Sequence, residues 1–261
     1  MANRWAKVVV MILATMVVAG CATDQSTSPA ASTRTPEILP TATLMTPTAS
    51  AVLPTDTPSQ GSLTIDVPRG DPPTLDGALL PHEWASAREA TISETSELLL
   101  MHDGEYLYLG IRAGEVGVGS ICVDQGDRVK VLHSSMALGT AVYEQREDDW
   151  RVSSRFSWSC SDASDSPQAQ AERTEHLETY HWLASNMSMG NPGEMEFQIA
   201  MPEGELRLAV TYLQASGGGG EEIAWWPADL PHGGCRDVNL IQAHEPNVLQ
   251  FSPENWVVFT P

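Results

Sequence analysis

The segment 96–113, SELLLMHDGEYLYLGIRA, contains two apolar runs on either side of Asp103-Gly104. An Asp-Gly pair between two runs rich in strand-forming residues is a strong short-range signal of a β-hairpin. We therefore predict two antiparallel strands with their turn at Asp103-Gly104. This hairpin indicates a fold built from β-strands, and most of the segments that follow it have strand-like patterns as well.

Further strands are predicted from alternating apolar and polar residues in 127–133, 139–145, 149–158, 194–201 and 206–213. In 194–201 the alternation places Met195, Phe197, Ile199 and Met201 on the inward face. The segment 169–185, AQAERTEHLETYHWLAS, differs because it has good helix formers and neither Gly nor Pro, and Leu177, Tyr180 and Ala184 lie on one apolar stripe. Many short strands with one helix predict an all-β fold, an antiparallel β-sandwich with one inserted helix.

The start of the chain has the pattern of an export signal. Arg4 and Lys7 precede the apolar run 8–18, which is too short for a comfortable membrane span. The run ends in VAGC, which resembles the lipobox of bacterial lipoproteins, in which the cysteine is acylated and becomes the new N-terminus. We expect residues 1–20 to be a lipoprotein signal peptide and Cys21 to anchor the exported protein to a membrane of the cell envelope.

Residues 21–61 are predicted to be a disordered linker that follows the lipidated cysteine. Positions 22–61 contain 10 Thr, 6 Pro and 5 Ser and no aromatic residue. Such a segment cannot bury enough apolar surface to offset the entropy lost on ordering. The remaining residues, 62–261, are enough for one hydrophobic core, so we expect a single domain.

The net charge of the chain is −20. So acidic a surface argues against nucleic acid and anionic lipid headgroups as partners. It is compatible with neutral ligands and with divalent cations such as Ca²⁺, although no resident cofactor is expected. Lys130 is the only lysine after Lys7.

Three cysteines follow Cys21, at positions 122, 160 and 235. Export allows disulfides, and an odd number allows at most one bridge within the domain. Three pairings are possible. We expect Cys160 to pair with Cys235, because Cys160 follows a strand and Cys235 lies in a glycine-rich loop that could reach it. Cys122 is then expected to be buried and free.

The segment 73–87, PTLDGALLPHEWASA, is a conspicuous polar and aromatic cluster at the entrance to the domain. Asp76-Gly77 predicts a turn, Leu79 and Leu80 are expected to close the edge of the core, and Trp84 is expected to pack beneath them. Together with HDGEYLYLGIRA and EMEFQIAMP, this segment resembles the family-9-type carbohydrate-binding modules and their DOMON-like relatives. The resemblance implies a β-sandwich module that binds a neutral glycan.

Sugar binding needs an exposed aromatic face with a few polar groups beside it. Trp225 and Trp226 are adjacent on a predicted strand and must point to opposite faces, so one of them should be at least half exposed. The alternative is that this residue packs under the helix. Strand periodicity does not say which of the two it is. The candidate ligand-binding residues are Trp225, Trp226, Trp182, Asp229 and Arg236.

Catalysis is not expected from this sequence. The chain has no Gly-x-Ser-x-Gly and no His-Glu-x-x-His, and its glycine run at 217–220 is not followed by Lys-Ser or Lys-Thr. Two further readings remain open beside the glycan-binding one. The protein is a structural or accessory lipoprotein without a small ligand, or it binds haem, as some DOMON-like relatives do, with Met101, His102, Lys130 and His133 as candidate ligands.

Overall fold

The computed structural model describes residues 63–135, 137–160, 166–188, 191–215, 221–231, 234–241 and 248–260. They belong to one compact unit, Asp56–Pro261. The predicted signal peptide, the linker and Cys21 lie outside the described residues. No helix within the described part of the chain is both long and apolar enough to cross a membrane.

The unit is built from strands, with one α-helix and two 3₁₀ helices. The strands are β1 (Thr64–Asp66), β2 (Arg88–Ser93), β3 (Ser96–His102), β4 (Tyr106–Ala113), β5 (Gly117–Asp124), β6 (Arg128–Ser134), β7 (Ala137–Arg146), β8 (Asp149–Cys160), β9 (Trp182–Ser188), β10 (Asn191–Ala200), β11 (Leu206–Ala215), β12 (Glu221–Trp226), β13 (Val248–Leu249) and β14 (Val257–Thr260). The α-helix, α1, is Pro167–Tyr180, and the 3₁₀ helices are Gly234–Ile241 and Pro253–Asn255.

The strands form two sheets, of nine and five strands. The larger sheet has the order β1-β14-β11-β5-β6-β7-β8-β13, with β12 also paired to β11, and the smaller has the order β2-β3-β4-β10-β9. All the strand pairs are antiparallel except β1 with β14. The predicted all-β sandwich with one inserted helix is confirmed, and so is the 96–113 hairpin.

Buried apolar side chains occupy three layers. The main core lies between the sheets and contains the predicted inward residues Met195, Phe197 and Ile199, whereas Met201 is only partly buried against it. A second cluster covers the outer face of the larger sheet, where Val129 and Val131 of β6 point away from the main core. A third covers the outer face of the smaller sheet. Several strands are therefore buried on both faces, which explains their long apolar runs.

The entrance segment 73–87 forms the third of these layers. Leu79 and Trp84 are buried on the outer face of the smaller sheet, over the bare backbone of Gly110. A Cβ at Gly110 would lie 2.6 Å from Leu79 Cδ2, so only glycine allows this close approach. The expectation that Leu80 is also buried is wrong, because this side chain is 37% exposed. The segment covers a sheet face and does not close the core edge.

Two glutamates of β10 hold the entrance segment in place. Glu196 is fully buried, and its carboxylate accepts hydrogen bonds from the backbone N–H of Asp76 (2.9 Å) and Gly77 (2.8 Å) and from Trp84 Nε1 (3.3 Å). Glu194 accepts a hydrogen bond from the N–H of Leu79 at 2.8 Å. The alternation of β10 thus places apolar residues in the core and acceptors under the segment.

The helix is shorter than the sequence predicts. Ser166 caps its start by accepting a hydrogen bond from Ala169 N–H at 3.1 Å. It ends at Tyr180, because His181 adopts a left-handed φ of 63° and donates its N–H to Leu177 O at 2.8 Å. The last residues of the predicted range 169–185 therefore belong to β9.

The disulfide joins Cys122 to Cys235, with a Cα–Cα distance of 5.9 Å. The predicted Cys160–Cys235 bridge and the free Cys122 are therefore wrong. Cys122 points to the outer face of the larger sheet, and the 3₁₀ helix Gly234–Ile241 lies over that face and brings Cys235 to it. The side chain of Cys160 lies outside the described residues.

We expect the double variant Cys122→Ala/Cys235→Ala to lower the free energy of unfolding by about 2–4 kcal/mol, because the bridge closes a long loop. The sequence separation is 113 residues. Urea denaturation measures the loss, with Cys160→Ala as the control. Peptide mass mapping without reductant identifies the bridge, and a Cys160–Cys235 peptide would contradict the structure.

Candidate functional site

The two adjacent tryptophans lie on opposite faces of β12, as the strand period predicts. Trp226 is 6% exposed and packs in the main core, with its ring centroid 6.1 Å from that of Phe259. Trp225 is half-buried and packs against the cluster on the outer face of the larger sheet. Trp226 is therefore not a ligand-binding residue, and Trp225 does not pack under α1.

The ring of Trp225 is already covered on one side by another residue of the chain. The guanidinium of Arg236 lies 3.5 Å from the ring centroid, a cation–π contact, and Trp225 Nε1 donates a hydrogen bond to Ala228 O at 3.2 Å. Asp229, the residue after Ala228, is exposed. The structure thus brings Trp225, Asp229 and Arg236 to one region, but Arg236 occupies a face that a sugar would need.

Trp182 belongs to a different part of the molecule. It is fully buried between the sheets, stacks with Phe197 at 6.3 Å and donates a hydrogen bond from Nε1 to Thr140 Oγ1 at 3.0 Å. The prediction that Trp182 contacts a ligand through its ring face is wrong, because no ring surface is exposed. The five predicted residues do not form one site.

A cleft of about 660 Å³ opens at one end of the sandwich, above Trp182. This volume is in the usual range of small-molecule sites. One wall comes from the ends of β5 and β6, and the other from the end of α1 and the β10–β11 connection. The lining comprises residues 123–126, 130 and 132, 180–182, 199–202 and 205–207.

Backbone hydrogen bonds fix both walls of the cleft. Ala200 N–H donates to His181 O and Met201 N–H donates to Glu105 O, each at 2.9 Å. On the other wall Gln125 N–H donates to Arg128 O at 2.8 Å. The walls are therefore pre-formed, which reduces the entropy lost when a ligand binds.

The lining mixes apolar and charged groups. Tyr180 is the aromatic residue of the lining whose ring is partly exposed, and it packs on His176 with ring centroids 4.7 Å apart. Arg207 Nη2 pairs with Glu205 Oε2 at 3.3 Å. Burial lowers the pKa of Lys130, since a charged amine loses hydration there. A polar molecule with an apolar face suits such a surface.

The candidate haem ligands do not come together. Met101 is buried on the outer face of the smaller sheet, whereas His133 is buried on the outer side of the larger sheet, with Nδ1 2.8 Å from Ser120 Oγ. Burial lowers the pKa of His133 to about 4. Lys130 lines the cleft between the sheets. Among the described residues no group of three or more His, Cys, Asp or Glu could hold a metal ion.

Sequence reasoning missed the cleft because its lining comes from five separated segments. Tyr180 is visible in the sequence only as part of the apolar stripe of a helix. Lys130 does carry a signal, since it is the only lysine after Lys7 in a chain of net charge −20. The rarity of lysine marks position 130 as unusual, but it does not show which residues surround Lys130 in the fold.

No family model matches this chain, and no curated protein is similar to it in sequence. Among solved structures it is similar to that of "a putative carbohydrate-binding protein" from Bacteroides uniformis. The identity is 9% and the TM-score is 0.41, over 77% of this chain and 100% of the other. At this similarity the likeness assigns neither a family nor a ligand to the chain.

Proposed function

We propose that this protein is a non-catalytic lipoprotein whose β-sandwich binds carbohydrate in the cleft at the end of the two sheets. The observation that carries the proposal is the cleft itself, with pre-formed walls and a lining of both apolar and polar side chains. A structural or accessory lipoprotein would need no such cleft.

The lining offers the two kinds of contact that a sugar ring requires. The exposed part of the Tyr180 ring, with Met201 beside it, suits the C–H surface of a pyranose. Gln125, Asp124 and Glu205 provide amide and carboxylate groups that can bind hydroxyls. The excess of acidic residues over the whole chain is compatible with a neutral glycan.

The same carboxylates support a binding role over a catalytic one. Asp124 Oδ1 accepts a hydrogen bond from Gly126 N–H at 2.8 Å, and Glu205 is paired with Arg207. A glycosidase needs one carboxyl that donates a proton and a second that acts as a base or nucleophile. Both cleft carboxylates instead already bind other groups of the chain, a backbone N–H and a guanidinium.

The test of the proposal is Tyr180→Ala. We expect this change to weaken glycan binding by about 1–3 kcal/mol, because it removes the aromatic contact area of the cleft. A glycan array would identify the ligand, and calorimetric titration would measure the loss.

Trp225→Ala is the matched control, since Trp225 is a half-buried aromatic outside the cleft lining. It should leave glycan affinity unchanged. If Trp225→Ala abolishes binding while Tyr180→Ala does not, the site lies on the outer face of the larger sheet and the cleft is not the binding site. If no glycan binds, the accessory role is favoured.

The membrane anchor is a separate part of the proposal and is supported by the sequence of residues 1–21. We expect the protein to enter the detergent phase on phase separation, and Cys21→Ser to abolish this. A single acyl chain binds membranes weakly, so the several chains attached to a lipoprotein cysteine are needed. The linker variant Thr27→Ser is the control. Membrane retention of Cys21→Ser through residues 1–20 would contradict the anchor.

A further inference from the structure

We propose that Lys130 makes the cleft select saccharides that carry a carboxylate, the uronic acids, over neutral ones. This inference rests on the proposed carbohydrate function and changes the class of sugar. It follows from the position of the amine, from its lack of a partner among the described residues and from the charges around it.

The position of Lys130 is set by the alternation of β6. Val129 and Val131 are buried on the outer face of the larger sheet, so Lys130 and Leu132 point to the side that faces the smaller sheet. Leu132 is buried in the main core, whereas Lys130 lies two residues nearer the start of β6 and lines the cleft. Its cross-strand neighbours are the apolar residues Val123 and Val142.

The side-chain amine of Lys130 makes no hydrogen bond or ion pair with any of the described residues. The two carboxylates of the lining have other partners, because Asp124 accepts from Gly126 and Glu205 pairs with Arg207. The guanidinium of Arg207, which also lines the cleft, is therefore paired with a carboxylate of the chain. Burial lowers the pKa of Lys130, because the charged amine loses hydration. An amine held in this way is stabilised by an anion that enters the cleft.

The overall charge of −20 does not exclude an acidic ligand at this place. At physiological salt the Debye length is about 8 Å, so exposed carboxylates farther away act weakly on the cleft. A charged group in direct contact and partly shielded from water acts much more strongly. The amine in the cleft therefore decides which ligand is preferred, and the distant surface charge does not.

The experiment compares oligosaccharides of galacturonic, glucuronic and mannuronic acid with their methyl esters, which have the same rings without the charge. Binding to the full chain in detergent is measured by calorimetry. We expect at least one free acid to bind about tenfold more tightly than its ester, as a charge-assisted hydrogen bond allows. The preference should shrink as the salt rises from about 50 mM to about 500 mM.

Lys130→Met should remove the preference for the acid. Its affinity for the ester should stay within about twofold of that of the native protein, because the uncharged ester makes no ionic contact with the amine. Lys130→Arg keeps the positive charge and should retain the preference. If Lys130→Met does not fold, Lys130→Arg tests whether a cation at this position is enough for the preference, and its loss there would contradict the inference. Arg128→Met is the matched control, because Arg128 lies on the same strand outside the cleft lining and pairs with Glu144. It should retain the preference.

Equal binding of acids and esters, or binding of esters alone, would overturn the inference and leave the carbohydrate function intact. A preference for the acid that persists in Lys130→Met would also overturn it. If neither form of any sugar binds, the carbohydrate function itself fails and the inference fails with it.

Discussion

Replacing Trp226 with alanine should lower the free energy of unfolding by about 3–5 kcal/mol, the usual cost of removing a large aromatic side chain from a core. The indole is 6% exposed and packs between the two sheets next to Phe259. The ring lies among the buried side chains of the main core, so its removal leaves a cavity that these neighbours fill only in part. Urea denaturation followed by circular dichroism measures the change.

Trp225→Ala is the control, because it removes the same side chain from the adjacent position. The variant loses the contact with Arg236 and the hydrogen bond to Ala228 O, which together contribute about 1–2 kcal/mol. The two losses should therefore differ clearly. Equal losses, or a greater loss from Trp225→Ala, would show that the inward and outward faces of β12 are assigned the wrong way round.

Glu196→Ala should destabilise the fold by about 3–5 kcal/mol, because it leaves several N–H groups without an acceptor in a buried place. The carboxylate accepts from Asp76 N–H, Gly77 N–H and Trp84 Nε1. The variant therefore loses three hydrogen bonds that attach the entrance segment to the smaller sheet. Urea denaturation measures the effect.

Glu203→Ala is the control, since Glu203 is exposed in the β10–β11 connection and its removal should change stability by less than about 0.5 kcal/mol. Glu196→Gln should give an intermediate loss. The amide oxygen can still accept from the backbone, but its NH₂ faces the Trp84 donor. A loss from Glu196→Ala no larger than that of Glu203→Ala would contradict the role of Glu196.

Glu196 should also make stability depend on pH. Burial raises the pKa of its carboxyl from 4.5 to about 7, against the opposing effect of the N–H donors. The folded state then binds more protons than the unfolded state, so this stabilisation is complete below about 4.5 and is lost as the pH rises through about 7. Glu196→Gln does not titrate. The stability of the native protein relative to this variant should fall between about pH 4 and about pH 8, and a constant or rising difference would refute the shift.

Local patterns predicted a large part of the secondary structure. The Asp-Gly pair predicts the β3–β4 hairpin, and the alternation in 194–201 predicts the core residues of β10 correctly. The end of the helix was missed because it depends on the left-handed conformation of His181, and the segment 169–185 has no Gly or Pro to mark a helix end. Glu196 looked like an exposed residue of an alternating strand, since nothing local indicates that the entrance segment covers it.

The site was not predictable to the same degree. The period of β12 correctly requires Trp225 and Trp226 to differ in burial, but the inward residue depends on which face of the strand meets the smaller sheet. Trp182 was chosen as an aromatic candidate, and the structure places it in the interior. Lys130 was conspicuous, yet its meaning appears only when the ends of β5, α1 and β10 are placed around it.

By itself the sequence determined the fold class, the 96–113 hairpin, the single helix and the strong acidity, because each depends on neighbouring residues or on composition. The tertiary structure alone decided that Cys122 bonds to Cys235, that Trp226 lies inside and that a cleft forms around Lys130. The physical reason is that periodicity orients a side chain relative to its own strand. What lies against that side chain is decided by contacts between segments far apart in the chain, and no local pattern encodes them.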